Sequence, residues 1–353
     1  MDIKKMVADI SRQEAKLRSM KMDLIRETHK NREIPKVISQ DSSNNWVAYH
    51  GDCIEVIKGI PSDSIHYTIF SPPFSSLFVY SASLRDMGNS SDSQFYDHFE
   101  YLVPEMLRTT IPGRLCTMHC SDIPAMKERD GYMGLKDFPG ELCRLMEHHG
   151  WVYHSKHVIW KDPLIEATRT KALGLAHKQV VKDSSRCRAG LPDYLITFMK
   201  PGENPIPIER GRGFENYIGE KQEPRAQKTD SHSTNKYSHM VWQRYASPVW
   251  MDINQTDTLN IQLARDKDDE RHICPLQLQV IARCLDLWSL PGETIASWFA
   301  GIGSEGYQAL KMNRKFIGVE LKKSYYDVMV IFHNLNPFLP LLSALFRYFT
   351  ITS

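Results

Sequence analysis

Three short stretches of the chain hold residue types that can do chemistry together. The apolar run Thr68-Ile69-Phe70 ends on Ser71-Pro72-Pro73-Phe74. Proline has no N–H to give a sheet ladder, so the strand must stop at Ser71, and each residue before a proline is held extended. The result is a stiff elbow that presents one hydroxyl, backbone carbonyls and one aromatic ring at a strand's carboxyl end. Taken alone, such a tetrapeptide is most often a plain turn. The second stretch is Ser297-Trp298-Phe299-Ala300-Gly301-Ile302-Gly303-Ser304-Glu305-Gly306. Its glycines allow close backbone approach to a ligand, and a following helix start offers unpaired N–H groups to an anionic group. Glu320 lies 19 residues after Gly301, at the end of the next apolar run, where an acidic residue can take ribose hydroxyls. The third, Tyr49-His50-Gly51-Asp52-Cys53, again sets a carboxylate at a strand end, as an acceptor suited to an amino group.

The elements that must position these residues alternate. WVAYHGD reads as a strand, CIEVIKGIP as a helix and SIHYTIF as the strand into the elbow. Helical spacing follows in FYDHFEYLVPEMLRTT and GELCRLMEHHGW, with strands at RLCTMHC, WVYHSKHVIW and YLITFMK. PLQLQVIARCLDLWS is a helix opened by proline, and TIASWFAG and KFIGVEL are strands around the glycine loop and its helix. This alternation predicts an α/β fold with a mostly parallel sheet. The cluster SQDSSNN, after Pro35, reads as a break. Residues 201–245 are polar, basic and aromatic with few apolar runs, and read as a long mobile insertion without a packed core. Ile3, Ile10, Leu17 and Leu24 repeat every seven residues, a stripe that suits either a dimerising coiled coil or a helix on its own domain.

Composition sets the class. Hydrophobic residues at 42% and charged residues at 24% are ordinary for a globular protein, and a net charge of +2 confines any nucleic-acid surface to a local patch. The seven cysteines show no Cys-x-x-Cys pair, so neither a metal site nor a disulfide framework is expected, and a reducing cytoplasm suits them. The N-terminal residues do not read as a signal peptide. The apolar C-terminal stretch is interrupted by His333, Asn334, Pro337, Pro340 and Arg347, and holds no run long enough for a membrane span.

Together GDCIEVIKGIPSDSIHYTIFSPPF and ASWFAGIGSEGYQALKMNRKFIGVELKKSYY resemble the amino-group DNA methyltransferases that use S-adenosylmethionine. The Ser-Pro-Pro-Phe element precedes the cofactor loop, which resembles the circularly permuted β class, and in particular its phage and prophage members. Such members carry stretches similar to SPPFSSLFVYSASLRDMGN, KERDG, IWKDP, ASPVWMDI and ERHICPLQLQVI. The likeness spans about residues 45–326. It implies a Rossmann-like methyltransferase fold with helices on both faces of the sheet and a permuted motif order. It implies that Ser71, Pro72, Pro73 and Phe74 are catalytic, with Ser71 and the Pro72 carbonyl accepting from the target amino group and Phe74 stacking on a flipped base. It also implies that S-adenosylmethionine is held by Asp52, Cys53, His272, Pro275, Ser297, Phe299, Ala300, Gly301, Gly303, Ser304, Glu305, Glu320 and Leu321.

The chain departs from the wider family at Trp298, which stands where proline is usual and would narrow the pocket, and in its apolar ending. The expected organisation is an N-terminal helical segment (1–40), a catalytic half (45–200), the insertion (201–245), a cofactor half (246–330) and a tail (331–353). The expected partner is DNA, gripped by Lys161, Arg169, Lys171, Lys178, Arg186 and Arg188 together with the insertion, with a homodimer through the N-terminal helix. Serine at the first motif position tilts the target toward cytosine N4 over adenine N6. Restriction-modification is the natural setting. Two other readings stay open: an RNA methyltransferase, and a DNA-binding protein whose cofactor site Trp298 disables.

Overall fold

Side chains alternate across a strand, so a strand covered on both faces buries every residue in turn against one layer or the other. The strand Ile65–Phe70 does this: Ile69 packs with one apolar cluster and Phe70 with another. Ile295 and Ala296 divide the same way, as do Phe316 and Val319. The computed structural model describes residues 16, 37–74, 87, 92–125, 127–170, 173–259 and 276–335. All but Lys16 belong to one compact unit that begins at Val37.

The strands are β1 (Ser39–Ser43), β2 (Trp46–His50), β3 (Ile65–Phe70), β4 (Thr110–Cys120), β5 (Ile123–Ala125), β6 (Gly134–Lys136), β7 (Val152–Ile159), β8 (Asp193–Met199), β9 (Val249–Trp250), β10 (Thr294–Ser297) and β11 (Lys315–Glu320). The helices are α1 (Cys53–Ile57), α2 (Asp92–Thr109), α3 (Lys127–Asp130), α4 (Phe138–His148), α5 (Pro163–Thr170), α6 (His177–Asp183), α7 (Lys236–Tyr245), α8 (Leu278–Trp288), α9 (Ser304–Lys311) and α10 (Lys323–Leu335).

Among the described residues one sheet runs β1-β2-β11-β10-β3-β4-β8-β7-β9, and β5 and β6 form a separate pair. The run β2-β11-β10-β3-β4 is parallel, and β8 is antiparallel to both β4 and β7. Residues of α1, α2 and α4 pack in the first core cluster, and residues of α8, α9 and α10 in the second. The expected α/β sandwich is therefore present. The stretches expected to form a catalytic and a cofactor half share this one sheet, since β2 pairs with β11 and β3 with β10.

Chain order reverses between β10 and β3: from β10 the chain steps to β11 on one side, and from β3 to β4 on the other. In open α/β sheets the ligand crevice lies beyond the carboxyl ends of the strands at such a switch point. Phe70, Cys120, Ser297, Glu320 and His50 all end parallel strands at that edge. Because β8 runs the other way, its first residue, Asp193, starts there.

Two expectations are corrected. The cluster SQDSS is not a break but β1, an edge strand paired to β2 from Ser39↔His50 to Ser43↔Trp46. All five residues are exposed, so nothing in that strand demanded an apolar side chain. Residues 201–245 do have a packed core: Phe214, Tyr237, Val241 and Tyr245 are buried together. The anchor comes from afar. Arg283 of α8 is fully buried, pairs with Asp252 at 3.0 Å, donates to the Ile218 carbonyl, and lies over the Tyr245 and Trp250 rings. An aromatic cluster closed by a distant arginine carries no helix or strand periodicity to read. The seven-residue stripe of residues 1–36 and the tail from 336 lie outside the described residues. No described helix is long and apolar enough to cross a membrane.

Candidate active site

The elbow sits where β3 stops. Pro72 is buried, and Ser71, Pro73 and Phe74 are half-buried. Phe74 packs on Phe138 with ring centroids 5.9 Å apart, so α4 braces the ring. The Ser71 hydroxyl lies 2.8 Å from His119 Nδ1, at the end of β4. His119 Nε2 in turn lies 3.1 Å from Asp193 Oδ2, close enough for charge pairing though not aligned as an ideal hydrogen bond. Lys161 Nζ donates to the other Asp193 oxygen at 2.5 Å. Burial alone would raise the Asp193 carboxyl, but His119 and Lys161 outweigh it and hold it down at about 2. Asp193 is thus a buried carboxylate kept ionised by two partners. His119 and Asp193 escaped the sequence reading. They stand 48 and 122 positions after Ser71, and only the β3-β4-β8 neighbourhood joins them.

On the other side of the switch point, the glycine loop leaves β10 and enters α9. Gly301 and Gly303 have φ of +54° and +88°, which glycine adopts without strain. Their roles differ. A Cβ on Gly301 would meet nothing within 4 Å, so this backbone is open to a ligand. A Cβ on Gly303 would lie 2.7 Å from Met329, and one on Gly306 2.2 Å from His333 Nε2, so these glycines admit α10. His333 is buried, its Nε2 is 3.4 Å from the Gly303 carbonyl, and burial lowers its imidazole to about 4.

Glu320 ends β11, and its carboxylate accepts from the Gly301 N–H and the Lys322 N–H, both at 2.8 Å. Asp52, next to the end of β2, caps α1 by accepting from Ile54 N–H at 2.9 Å. The β2-β11 pairing brings these carboxylates together: the buried Cys53 thiol is raised well above its ordinary value by burial, and then by both Asp52 and Glu320. The Leu321 carbonyl meets His50 Nε2 at 3.1 Å. Glu305 opens α9 and is buried. Burial pushes its carboxyl up to about 8, with the Glu320 charge adding and a backbone N–H opposing. The buried hydroxyls of Ser297 and Ser304 have no hydrogen-bond partner among the described residues. Open backbone, a carboxylate acceptor, a buried acid and orphaned hydroxyls fit a polar, cationic nucleoside ligand.

Trp298 does not narrow this pocket. Its indole is 1% exposed and packs in the first core cluster. Phe299 packs tilted on Phe70 and stacked on Phe99, with ring centroids at 5.6 and 6.3 Å. Cys116, Cys120 and Cys284 are buried and held as thiols by burial, so none of them is a ready nucleophile. His272, Pro275 and Lys171 lie outside the described residues, and Arg169 falls in α5.

The excursion from 160 to 192 leaves β7 and enters β8 at the same edge as the elbow. Lys178 and Arg186 are exposed there. Arg188 is tied to Glu166 at 3.3 Å, and Lys161 is paired with Asp193. Elsewhere, Glu100, His148 and His149 bring ligand atoms within 4.8 Å of one another, a trio that no sequence spacing announces.

A family model described as DNA methylase, of the N6/N4 methyltransferase type, matches residues 65–331. None of the curated proteins matches the chain. A Thermus thermophilus protein assigned as a DNA modification methylase, solved with S-adenosyl-L-methionine, is similar at 17% identity. The match covers 84% of this chain and 95% of that one, with a TM-score of 0.57. The cytosine-N4-specific PvuII DNA methyltransferase is similar at 14% identity over 85% of this chain and 96% of its own, with a TM-score of 0.55. At such identities the likeness speaks for the fold, and the family model speaks for the family. The chain belongs to the N6/N4 DNA methylase family, the S-adenosylmethionine-dependent DNA methyltransferases that act on exocyclic amino groups.

Proposed function

We propose that Ser71, Pro72 and Phe74 hold the target base of this DNA methyltransferase, and that cytosine N4 is the preferred acceptor. The observation that carries this reading is the meeting, at one switch point, of the Ser71–Phe74 elbow with the Gly301 loop and Glu320. The Ser71 hydroxyl and the Pro72 carbonyl accept from the two N–H bonds of the amino group. Held so, the nitrogen keeps its lone pair out of the ring's π system and directed at the electrophile. Phe74, braced by Phe138, stacks on a base rotated out of the duplex. S-adenosylmethionine supplies the electrophilic methyl group. Glu320 takes its ribose hydroxyls, Asp52 its adenine amino group, and Ser304 and Glu305 its methionine part. Catalysis then rests on positioning and electrostatics.

The excursion carrying Lys178 and Arg186 leaves the sheet at the elbow's edge and is read as meeting DNA, with residues 201–245 as a recognition element. The exposed Leu164, Ile165, Val180 and Val181 accompany these cations and support a surface that meets more than phosphate. Dimerisation through the N-terminal helix completes the proposal, and light scattering of a chain lacking residues 1–36 tests it. Tritiated methyl transfer to duplex DNA, single-stranded DNA and RNA, followed by mass spectrometry of the nucleosides, tests the substrate and the base. Ser71→Ala and Phe74→Ala should cut turnover and leave S-adenosylmethionine affinity nearly intact. Equal loss of both would make the elbow structural.

A further inference from the structure

Methylating an amino group has a second half that the elbow alone does not accomplish. The nitrogen gains a bond to carbon and a positive charge, and one of its protons must leave. Ser71 Oγ, His119 and Asp193 form a chain with steps of 2.8 and 3.1 Å, braced by Lys161. His119 and Asp193 are buried, while Ser71 at one end of the chain is half-buried and Lys161 at the other is 21% exposed.

With the imidazole neutral, the hydrogens in this chain have one arrangement that leaves Ser71 lone pairs for the amino group. Asp193 is ionised and can only accept. The carboxylate 3.1 Å away favours the hydrogen on the ring nitrogen that faces it, Nε2, although that contact is not aligned as an ideal hydrogen bond. A neutral imidazole has one N–H, so Nδ1 is bare and accepts. Ser71 must then donate its own O–H to Nδ1. Its lone pairs are left for the amino group, which needs an acceptor there. With the opposite tautomer, Nδ1–H would occupy a Ser71 lone pair and turn the hydroxyl's hydrogen toward the base. A donor would then face the amino group.

We propose that His119 and Asp193 are a positioning pair that fixes Ser71 as an acceptor and receives its proton as methyl transfer completes. The inference rests on the reading that Ser71 faces the target amino group. As the nitrogen–carbon bond forms and the carbon–sulfur bond breaks, the sulfonium becomes a neutral thioether and the nitrogen becomes cationic. One N–H proton passes to Ser71 Oγ, and the Ser71 proton passes to His119 Nδ1. The charge that began on sulfur ends on an imidazolium beside the Asp193 carboxylate. Once the product leaves, the same path returns the proton through Ser71 to water.

Nitrogen-15 NMR of the ligand-free parent tests the arrangement directly. The expected signature for His119 is a protonated Nε2 and a bare Nδ1, lost in Asp193→Asn. Single-turnover methylation at saturating DNA and S-adenosylmethionine tests the role. Removing a general base typically costs about 100-fold or more, so His119→Ala should slow the step on the order of 100-fold. Both dissociation constants should be unchanged, and added imidazole should restore part of the rate. An Nδ1–H tautomer in the parent, or His119→Ala turning over at the parent rate while Ser71→Ala is slow, overturns the proposal and leaves the functional reading standing. If the alanine variant does not fold, His119→Gln and the parent's tautomer decide. A parent that methylates nothing sinks the functional reading instead, and the tautomer still settles the hydrogen-bond direction.

Discussion

Glu320→Gln is the perturbation that reaches furthest into the cofactor site. A carboxylate offers about four lone-pair directions, and in this protein Oε2 holds the Gly301 N–H and Oε1 the Lys322 N–H, each at 2.8 Å. The same group can thus serve the loop and a ribose diol together. Glutamine keeps one acceptor oxygen and replaces the other with a donor NH2. Whichever way the amide turns, one backbone N–H faces another N–H, and one ribose hydroxyl loses its acceptor. A hydrogen bond to a charged group contributes roughly 1.5–3 kcal/mol. The lost hydroxyl contact alone therefore lowers S-adenosylmethionine affinity on the order of tenfold to a hundredfold. The lost backbone contact loosens the loop in the free protein and adds a modest drop in melting temperature. Calorimetric titration of the cofactor, with a melting curve of the free variant and a DNA-binding isotherm beside it, separates these effects. DNA affinity should be nearly unchanged. If Glu320→Gln binds S-adenosylmethionine like the parent, Glu320 is a loop brace only, and the cofactor reading of the β10-α9-β11 unit is in error.

Cofactor affinity should rise as pH climbs toward and through about 8, because ionised Glu305 complements a cationic ligand, and Glu305→Gln should flatten that profile in calorimetry. The sign for stability is opposite: a carboxyl raised in the folded state favours folding fully below its ordinary value of 4.5, and that contribution is lost as pH rises through about 8. Chemical denaturation of the ligand-free protein across that range should show a fall in stability that Glu305→Gln removes. Gly306→Ala places a methyl 2.2 Å from His333 Nε2 and 2.5 Å from Phe316 Cδ1 and should cost ~1–3 kcal/mol of stability by overpacking, read as a lower denaturation midpoint. Arg283→Met strands the buried Asp252 and should cost ~3–5 kcal/mol. An unchanged melting curve would mean that residues 201–253 do not depend on that anchor.

Local chemistry was legible where one residue type forces one geometry. Ser71-Pro72-Pro73-Phe74 had to end a strand because proline cannot continue a ladder, and Gly301 and Gly303 announced close backbone approach. The strands β2, β3, β4, β7, β8, β10 and β11 were readable because apolar runs a few residues long, bounded by turn residues, have few alternatives. The edge strand β1 was not, since a strand exposed on both faces leaves no hydrophobic pattern. The core around Phe214 and Tyr237 was not, since its anchor, Arg283, is dozens of residues away in sequence.

The sequence by itself therefore determined the inner strands of the sheet, the α/β class and the identity of the two motifs, because helix and strand periods, proline stops and glycine turns are local properties. It also carried the order of the motifs, from which the permuted arrangement followed. Only the tertiary structure decided what those motifs face. The strand order put β3 beside β10, and so brought Ser71 to the edge that carries Gly301 and Glu320. It turned Trp298 into the core, gave Gly303 and Gly306 to α10, and paired Lys161 with Asp193. The chain Ser71–His119–Asp193 is the clearest case. Sheet pairing between strands far apart in sequence built it, and no spacing along the chain encodes which side chains will meet across neighbouring strands.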